Sequence, residues 1–204
     1  MSDLSAENLS NQNLDNIKPP VELARCSQLL NHGPVTLVTS AHNGRRDVMA
    51  ASWAMALDFD PPKVIVLMDS NTLTRELVDA SGEFGLQLPL RVIAEQTLAV
   101  GSNSGKDLDK FAAFNLKTFA SQKIVAPMIE ECAAWLECKV IPDASDRYDI
   151  IIAEVIAAYS NAEVYTDNRW HFGDNPLNRT MHYVAGGQFF ATGGSFYIEA
   201  SEKI

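Results

Sequence analysis

The sequence predicts a mainly β domain, a closed or partly closed β-barrel with peripheral helices. Three observations carry this. Apolar segments of strand length follow one another along the chain, among them "PVTLVTSA", "KVIVLM", "EFGLQLP" and "YDIIIAEVIAAYS", with helical patterns inserted between them. Strict β-α-β alternation is missing, which argues against a Rossmann core. No G-x-G-x-x-G follows any of these strands.

Residues 1–20 read as an N-terminal tail, polar and closed by Pro19-Pro20, and residues 21–204 as one domain. A chain of 204 residues can bury well over half of its unfolded surface around a single core. "VELARCSQLLN" has the spacing of a short helix with Leu23, Cys26 and Leu30 on one face and Gly33 past its end. "PVTLVTSA" is a strand, and Asn43-Gly44 behind it is the strongest short hairpin signal. The return strand, residues 47–59, is mostly apolar, as expected with both faces covered, and stops at Asp60-Pro61-Pro62. "KVIVLM" follows as a core strand. "NTLTRELVDASG" is a helix that opens on Ser70, Asn71 or Thr72 and ends at Gly82. After the strand "EFGLQLP", residues 91–100 and 106–114 read as two helices. "CAAWLECKVIPD" and "YDIIIAEVIAAYS" are long strands joined by "ASDR". A long polar segment, 161–181, holds Trp170, His171 and Phe172, and "MHYVAGGQFFATGG" closes as a last strand whose paired glycines suggest a bulge or a close backbone approach.

Composition narrows the function. Net charge is −10, and the basic residues are scattered singly apart from Arg45-Arg46, so neither nucleic acid nor an anionic membrane finds a basic footprint. No apolar run is long enough to span a bilayer. Three cysteines without a C-x-x-C pair suit free thiols in a reducing compartment. The N-terminal stretch lacks a basic n-region and an apolar h-region, so a cytoplasmic protein is expected.

"GSNSGKDLDKF" is the segment closest to a chemical motif. Gly101 stands one residue too close to Gly105-Lys106 for a P-loop, and Asp107 replaces the magnesium-binding hydroxyl. A nucleophile elbow would need Ser where Asn103 stands. Two predicted helix starts share one oddity: Arg75 and Lys106 place a cation against the positive end of the macrodipole. Each start also carries surplus hydroxyls, Ser70, Thr72 and Thr74 in one and Ser102 and Ser104 in the other. An anion cradled by hydroxyls, N–H groups and a cation explains both, and ordinary capping with the cations paired to nearby carboxylates explains them too. Small residues Ala50, Ala51 and Ser52 before Trp53 leave backbone open to a flat ligand or pack a tight core strand. Metal-ligand spacings such as H-E-x-x-H are missing, as is any Ser-His-Asp order.

From Gly33 to Gly194 the chain resembles the flavin reductase-like family. The resemblance lies in "GPVTLVTS", "AASWAMALDFDPP", "SNTLTRELVDASGEF", "SGKDLDKF", "APMIEECAAWLEC", "DIIIAEV" and "HYVAGGQFFATG", in that order. It implies an FMN-binding split β-barrel of the Greek-key type, and a homodimer with FMN (FAD less often) near its interface. NAD(P)H is then the electron donor and a small molecule the acceptor. By the same resemblance the cofactor contacts are Thr39, Ser40, Ala50, Ala51, Ser52, Trp53, Ser70, Thr72, Thr74, Arg75, Ser102, Ser104, Gly105 and Lys106. Trp170 and His182 are expected beside the isoalloxazine, shaping the pocket, or else Trp170 staples its loop to the barrel. A flavin carrier without efficient turnover and a pyridoxamine-phosphate oxidase-like protein are the alternatives. The chain departs from the pattern at Ala51-Ser52-Trp53-Ala54, where relatives carry more polar residues, and at Tyr148, where some reductases have His.

Overall fold

The computed structural model describes residues 18–142 and 148–198. A 3-10 turn (Leu23–Arg25) leads into a single-turn helix α1 (Ser27–Leu30). Strands β1 (Thr36–His42) and β2 (Arg45–Ala51) form a hairpin whose turn residues, Asn43 and Gly44, both take positive φ, as the Asn-Gly signal requires. Strands β3 (Ala54–Phe59) and β4 (Pro62–Leu67) form the next hairpin. Helix α2 (Leu73–Ser81) is capped by the Thr72 hydroxyl, which accepts from the Arg75 N–H at 3.2 Å, and ends on Gly82 in the left-handed region. After β5 (Glu83–Pro89) come a 3-10 turn (Arg91–Ile93), α3 (Ala94–Ser102) and the short α4 (Lys110–Ala113). The chain continues through β6 (Thr118–Phe119), β7 (Met128–Ile129), β8 (Cys132–Val140) and β9 (Ile150–Ser160). It closes with β10 (Tyr165–Thr166), β11 (Arg169–Trp170), β12 (Met181–Ala185) and β13 (Gln188–Ala191).

Seven strands pair antiparallel throughout, in the order β2-β1-β5-β8-β9-β4-β3. The two edge strands, β2 and β3, are neighbours in the chain, separated only by Ser52 and Trp53. Three Cα steps span at most about 11 Å, so the sheet must curl until its edges meet at that corner. Leu67 N–H bonds the Trp53 carbonyl there at 2.9 Å. β2 and β3 themselves do not pair, so the barrel stays open along that seam, as in a split barrel. Alternate residues feed two apolar clusters: Val38, Val66, Leu86 and Leu136 in one, Leu37, Val48, Met128 and Trp135 in the other. In β8 the first seven residues are all buried, because both faces of this central strand are covered. The Glu137 carboxylate is buried in β8 and accepts from the N–H groups of Gln122, Lys123 and Ile124 and from the Tyr159 hydroxyl, fixing the 120–127 loop.

Five expectations change. Residues 47–59 form two strands at opposite edges of the sheet, and β3 is largely exposed, because among the described residues it pairs on one side only. The predicted helix 106–114 begins only at Lys110, since Asp109 caps it through the N–H groups of Phe111 and Ala112. The first predicted helix breaks at Cys26 and leaves Leu23 exposed. Gly186 and Gly187, both at positive φ, turn the last segment into the β12–β13 hairpin, whose register shift falls between Tyr183 and Ala185 and not at the glycines. Pro19 and Pro20, assigned to the tail, lie along β9, with Ser160 N–H on the Pro19 carbonyl at 3.1 Å. The "ASDR" connection and residues 1–17 lie outside the described residues.

Candidate functional site

Strand β2 organises two concavities. At its start, just after the Asn43-Gly44 turn, Gly44, Arg45, Arg46, Leu73, Gly105, Lys106, Leu108 and Asp109 line a cavity of about 400 Å³. The three cations make its mouth basic on a protein that is acidic as a whole. Arg45 pairs with Glu76 at 2.7 Å, and Arg46 pairs with Asp109 at 3.2 Å while lying over the Phe111 ring. Lys106 forms no ion pair among the described residues. At the far end of β2, Val35, Ala50, Ser52, Thr97, Leu98, Gly101, Ser102, Tyr183 and Phe189 line a cleft of about 110 Å³. Tyr183 and Phe189 face each other across the β12–β13 hairpin, 5.1 Å between ring centroids. Ala50 and Arg46 are four residues apart, so the two concavities lie roughly 13 Å apart along the strand.

Beneath the basic mouth sits a buried charge pair. Asp47 and Lys110 are 2% and 4% exposed. The Thr74 hydroxyl donates to Asp47 Oδ2 at 2.7 Å, and Lys110 Nζ lies 3.5 Å from Oδ1. Lys110 Nζ also donates to the carbonyls of Val48 (2.7 Å) and Val100 (3.1 Å). Burial pulls the Lys110 amine below its usual range, and the Asp47 charge offsets part of that. A β-carbon on Gly105 would overlap the Asp47 carboxylate, so the loop backbone lies flat against it.

The family model of the Flavin reductase like domain matches residues 30–183 of the sequence that builds this site. The chain belongs to that family. An FMN-binding domain of a flavin reductases-like enzyme from Shewanella baltica shares its fold at a TM-score of 0.86 and 41% identity, covering 89% of this chain and 97% of the other. The protein YddH of Escherichia coli is 41% identical over 179 residues, 85% of this chain and 94% of its own length. The flavoredoxin of Desulfovibrio vulgaris, at 23% identity, has the same fold (TM-score 0.71, covering 83% of this chain and 91% of that one).

Within this flavin reductase like domain, the expected contacts separate into groups. Ala50, Ser52 and Ser102 line the cleft beside Tyr183 and Phe189, and Gly105 and Lys106 the basic cavity. Ser104 is exposed, its hydroxyl accepting from the Lys106 N–H at 3.1 Å. Ser102 closes α3 by donating to the Leu98 carbonyl, so "GSNSG" ends one helix and does not open another, and Lys106 opposes no helix dipole. Thr74 serves Asp47, and Thr72 serves as the cap. Arg75 is drawn back along its own helix to Asp79 (2.8 Å) and the Met68 carbonyl (3.1 Å), away from the cavity. Ser70 is exposed ahead of α2. Thr39 and Ser40 are closed off from solvent: Thr39 accepts from Gln87 Nε2 at 2.8 Å, and Ser40, across from Asp47, leaves its hydroxyl without a partner. Ala51 is buried, and Trp53 is 73% exposed at the corner.

Trp170 and His182 line neither concavity, contrary to the expectation that both flank a ligand. The Trp170 ring stacks on Phe172 (5.2 Å), meets Tyr165 and His32 edge-on, and donates to the Gln28 carbonyl at 3.3 Å. His182 Nδ1 sits 2.9 Å from the Gly33 carbonyl. Residues alternate faces along a strand, so in β12 it is the next residue, Tyr183, that reaches the cleft. Arg45, Arg46, Asp47, Lys110, Tyr183 and Phe189 were not singled out from the sequence as site residues. Only the doubled arginine after a hairpin turn carried a local signal.

His32 links this region to pH. Its imidazole is lowered to about 4 by burial and then by the nearby His182. The unfolded chain takes up a proton below about pH 6.5 that the folded chain refuses until near pH 4, so stability falls as pH drops through that window. The loss is on the order of 3 kcal/mol at most. Thermal melts of His32→Gln should show a flatter slope between those pH values; an unchanged slope would contradict the assignment.

Proposed function

We propose that this chain binds FMN along β2 and acts as an NAD(P)H-dependent oxidoreductase of the flavin reductase type, with a small-molecule electron acceptor. One observation carries the reading: a single strand holds, at one end, a cleft walled by the Tyr183 and Phe189 rings and, at the other, a cavity lined by three cations. That pair suits one extended ligand with a flat ring system and an anionic tail. The residues fit the group. Tyr183, Phe189, Ala50 and Ser52 would hold the ring, and Arg45, Arg46 and Lys106 would face the phosphate. When bound, FMN supplies the hydride chemistry. The protein's own residues position it: Tyr183 is the only titratable side chain on the cleft, so the wall orients and excludes water without offering an acid–base pair. The three buried free cysteines suit a cytoplasmic setting. Among the described residues no helix is long and apolar enough to cross a membrane.

The cleft is smaller than the roughly 300–1,000 Å³ of usual ligand pockets, and Trp53 at the corner with Met55, Leu57 and Phe59 of β3 forms an exposed apolar stripe. Both features support a homodimer in which a second copy completes the site. Light scattering at micromolar concentration should return twice 22.4 kDa; the monomer mass would contradict it.

The function is tested by anaerobic titration. The purified protein should take up FMN and turn yellow, and NADH or NADPH should then bleach the flavin bands. A yellow protein that neither nucleotide bleaches is a flavin carrier, the second reading. A chain that takes up no FMN overturns both.

A further inference from the structure

We infer that the buried Asp47–Lys110 pair positions the Gly105–Lys106 loop and thereby sets the protein's preference for a phosphorylated flavin, without either residue touching the ligand. The inference rests on the FMN reading above.

Three segments must be held in register for the basic cavity to exist: the start of β2, the first turn of α2 and the loop between α3 and α4. Asp47 touches all three. It lies in β2 beside Arg46, receives the Thr74 hydroxyl from α2, and presses against the Gly105 backbone, whose neighbour is Lys106. Lys110 adds the end of α3 through the Val100 carbonyl and the strand itself through the Val48 carbonyl. Burying two charges costs much of what their attraction returns, so such a pair contributes little net stability relative to apolar side chains of the same shape. What it contributes here is geometry, because an ion pair with three further hydrogen bonds has one low-energy arrangement. Lys110 also cancels the charge of Asp47, which would otherwise stand behind an anion site.

Two variants separate position from charge. Asp47→Asn keeps the shape and removes a negative charge from behind the cavity, so electrostatics alone would tighten FMN. Gly105→Ala changes no charge, and Gly105 does not hold a positive φ, so the strain of its added β-carbon falls first on the Asp47 carboxylate, which supplies its three nearest atoms. Affinities for FMN and riboflavin, which lacks the phosphate, are read from flavin fluorescence with the full chain, beside a thermal melt. Each variant should weaken FMN by about tenfold or more while riboflavin moves by less than about twofold. The inference is overturned if Asp47→Asn binds FMN as tightly as the parent or more so, or if both flavins lose affinity equally. Should Asp47→Asn fail to fold, Gly105→Ala decides: parent-like FMN binding overturns the inference. A parent chain that binds neither flavin fails the FMN reading first, and the inference falls with it.

Discussion

Replacing Trp170 with Ala is expected to lower the stability of the domain by about 3 kcal/mol, the lower end for a buried aromatic truncation, because the indole is only half-buried. The reason is its set of neighbours. It stacks on Phe172, meets Tyr165 at 4.8 Å and His32 at 5.0 Å, and ties the β10–β11 hairpin to the carbonyl of Gln28 in α1. Removing the ring leaves a void against the cluster that holds Val64, Leu86 and Phe172, and takes the indole donor from the part-buried Gln28 carbonyl. Flavin reduction, measured per folded molecule by stopped flow, should stay at the parent rate, because the ring lines neither concavity. A lid would behave in the opposite way, with an altered rate and an unmoved urea midpoint, and that result would refute the staple.

This residue shows where local reading stops. The α2 helix was legible because its signals are contiguous: Thr72 accepts from the N–H three residues on, and Gly82 supplies the left-handed exit. The β1–β2 turn was legible for the same reason, Asn43-Gly44 being compatible with two positive φ angles in succession. The break at Ser52-Trp53 was not. No Gly, Pro or Asn punctuates it, and the chain changes edges there because of closure around the whole sheet. The long 161–181 segment carried its apolar weight visibly, yet whether Trp170 faced a ligand or the core depended on α1, which lies 142 residues away in sequence through the Gln28 contact. The phosphate-side reading placed its loop at a helix start, and the structure places that loop elsewhere. Gly105 and Lys106 do line the basic cavity, but they do so from a loop after α3, and the cations across from them are Arg45 and Arg46 instead of Arg75. Only a contact map reveals that the anchor of this loop, Asp47, is matched by a lysine 63 positions further along the chain.

That separation in sequence makes the pair a strong test of how the domain spends its buried charge. Lys110→Met alone is expected to destabilise the fold by about 3–5 kcal/mol, the usual result of removing one partner of a buried pair. It strands the Asp47 carboxylate with only the Thr74 hydroxyl as a donor, and it leaves the Val48 and Val100 carbonyls unmet. Asp47→Asn alone should cost less. The Lys110 amine keeps both carbonyl acceptors, and burial already favours its neutral form. The double variant Asp47→Asn/Lys110→Met should recover much of the loss of Lys110→Met, because no unpaired charge remains and the side-chain volumes are nearly conserved. Urea melts of the four proteins give the cycle directly, with the coupling expected at about 1–3 kcal/mol. Additive losses would mean that the two charges do not sense each other across 3.5 Å, and the pair would then be an accident of packing. A near-native double variant that binds riboflavin but has lost its grip on FMN would show that the charges are kept for the shape of the loop above them.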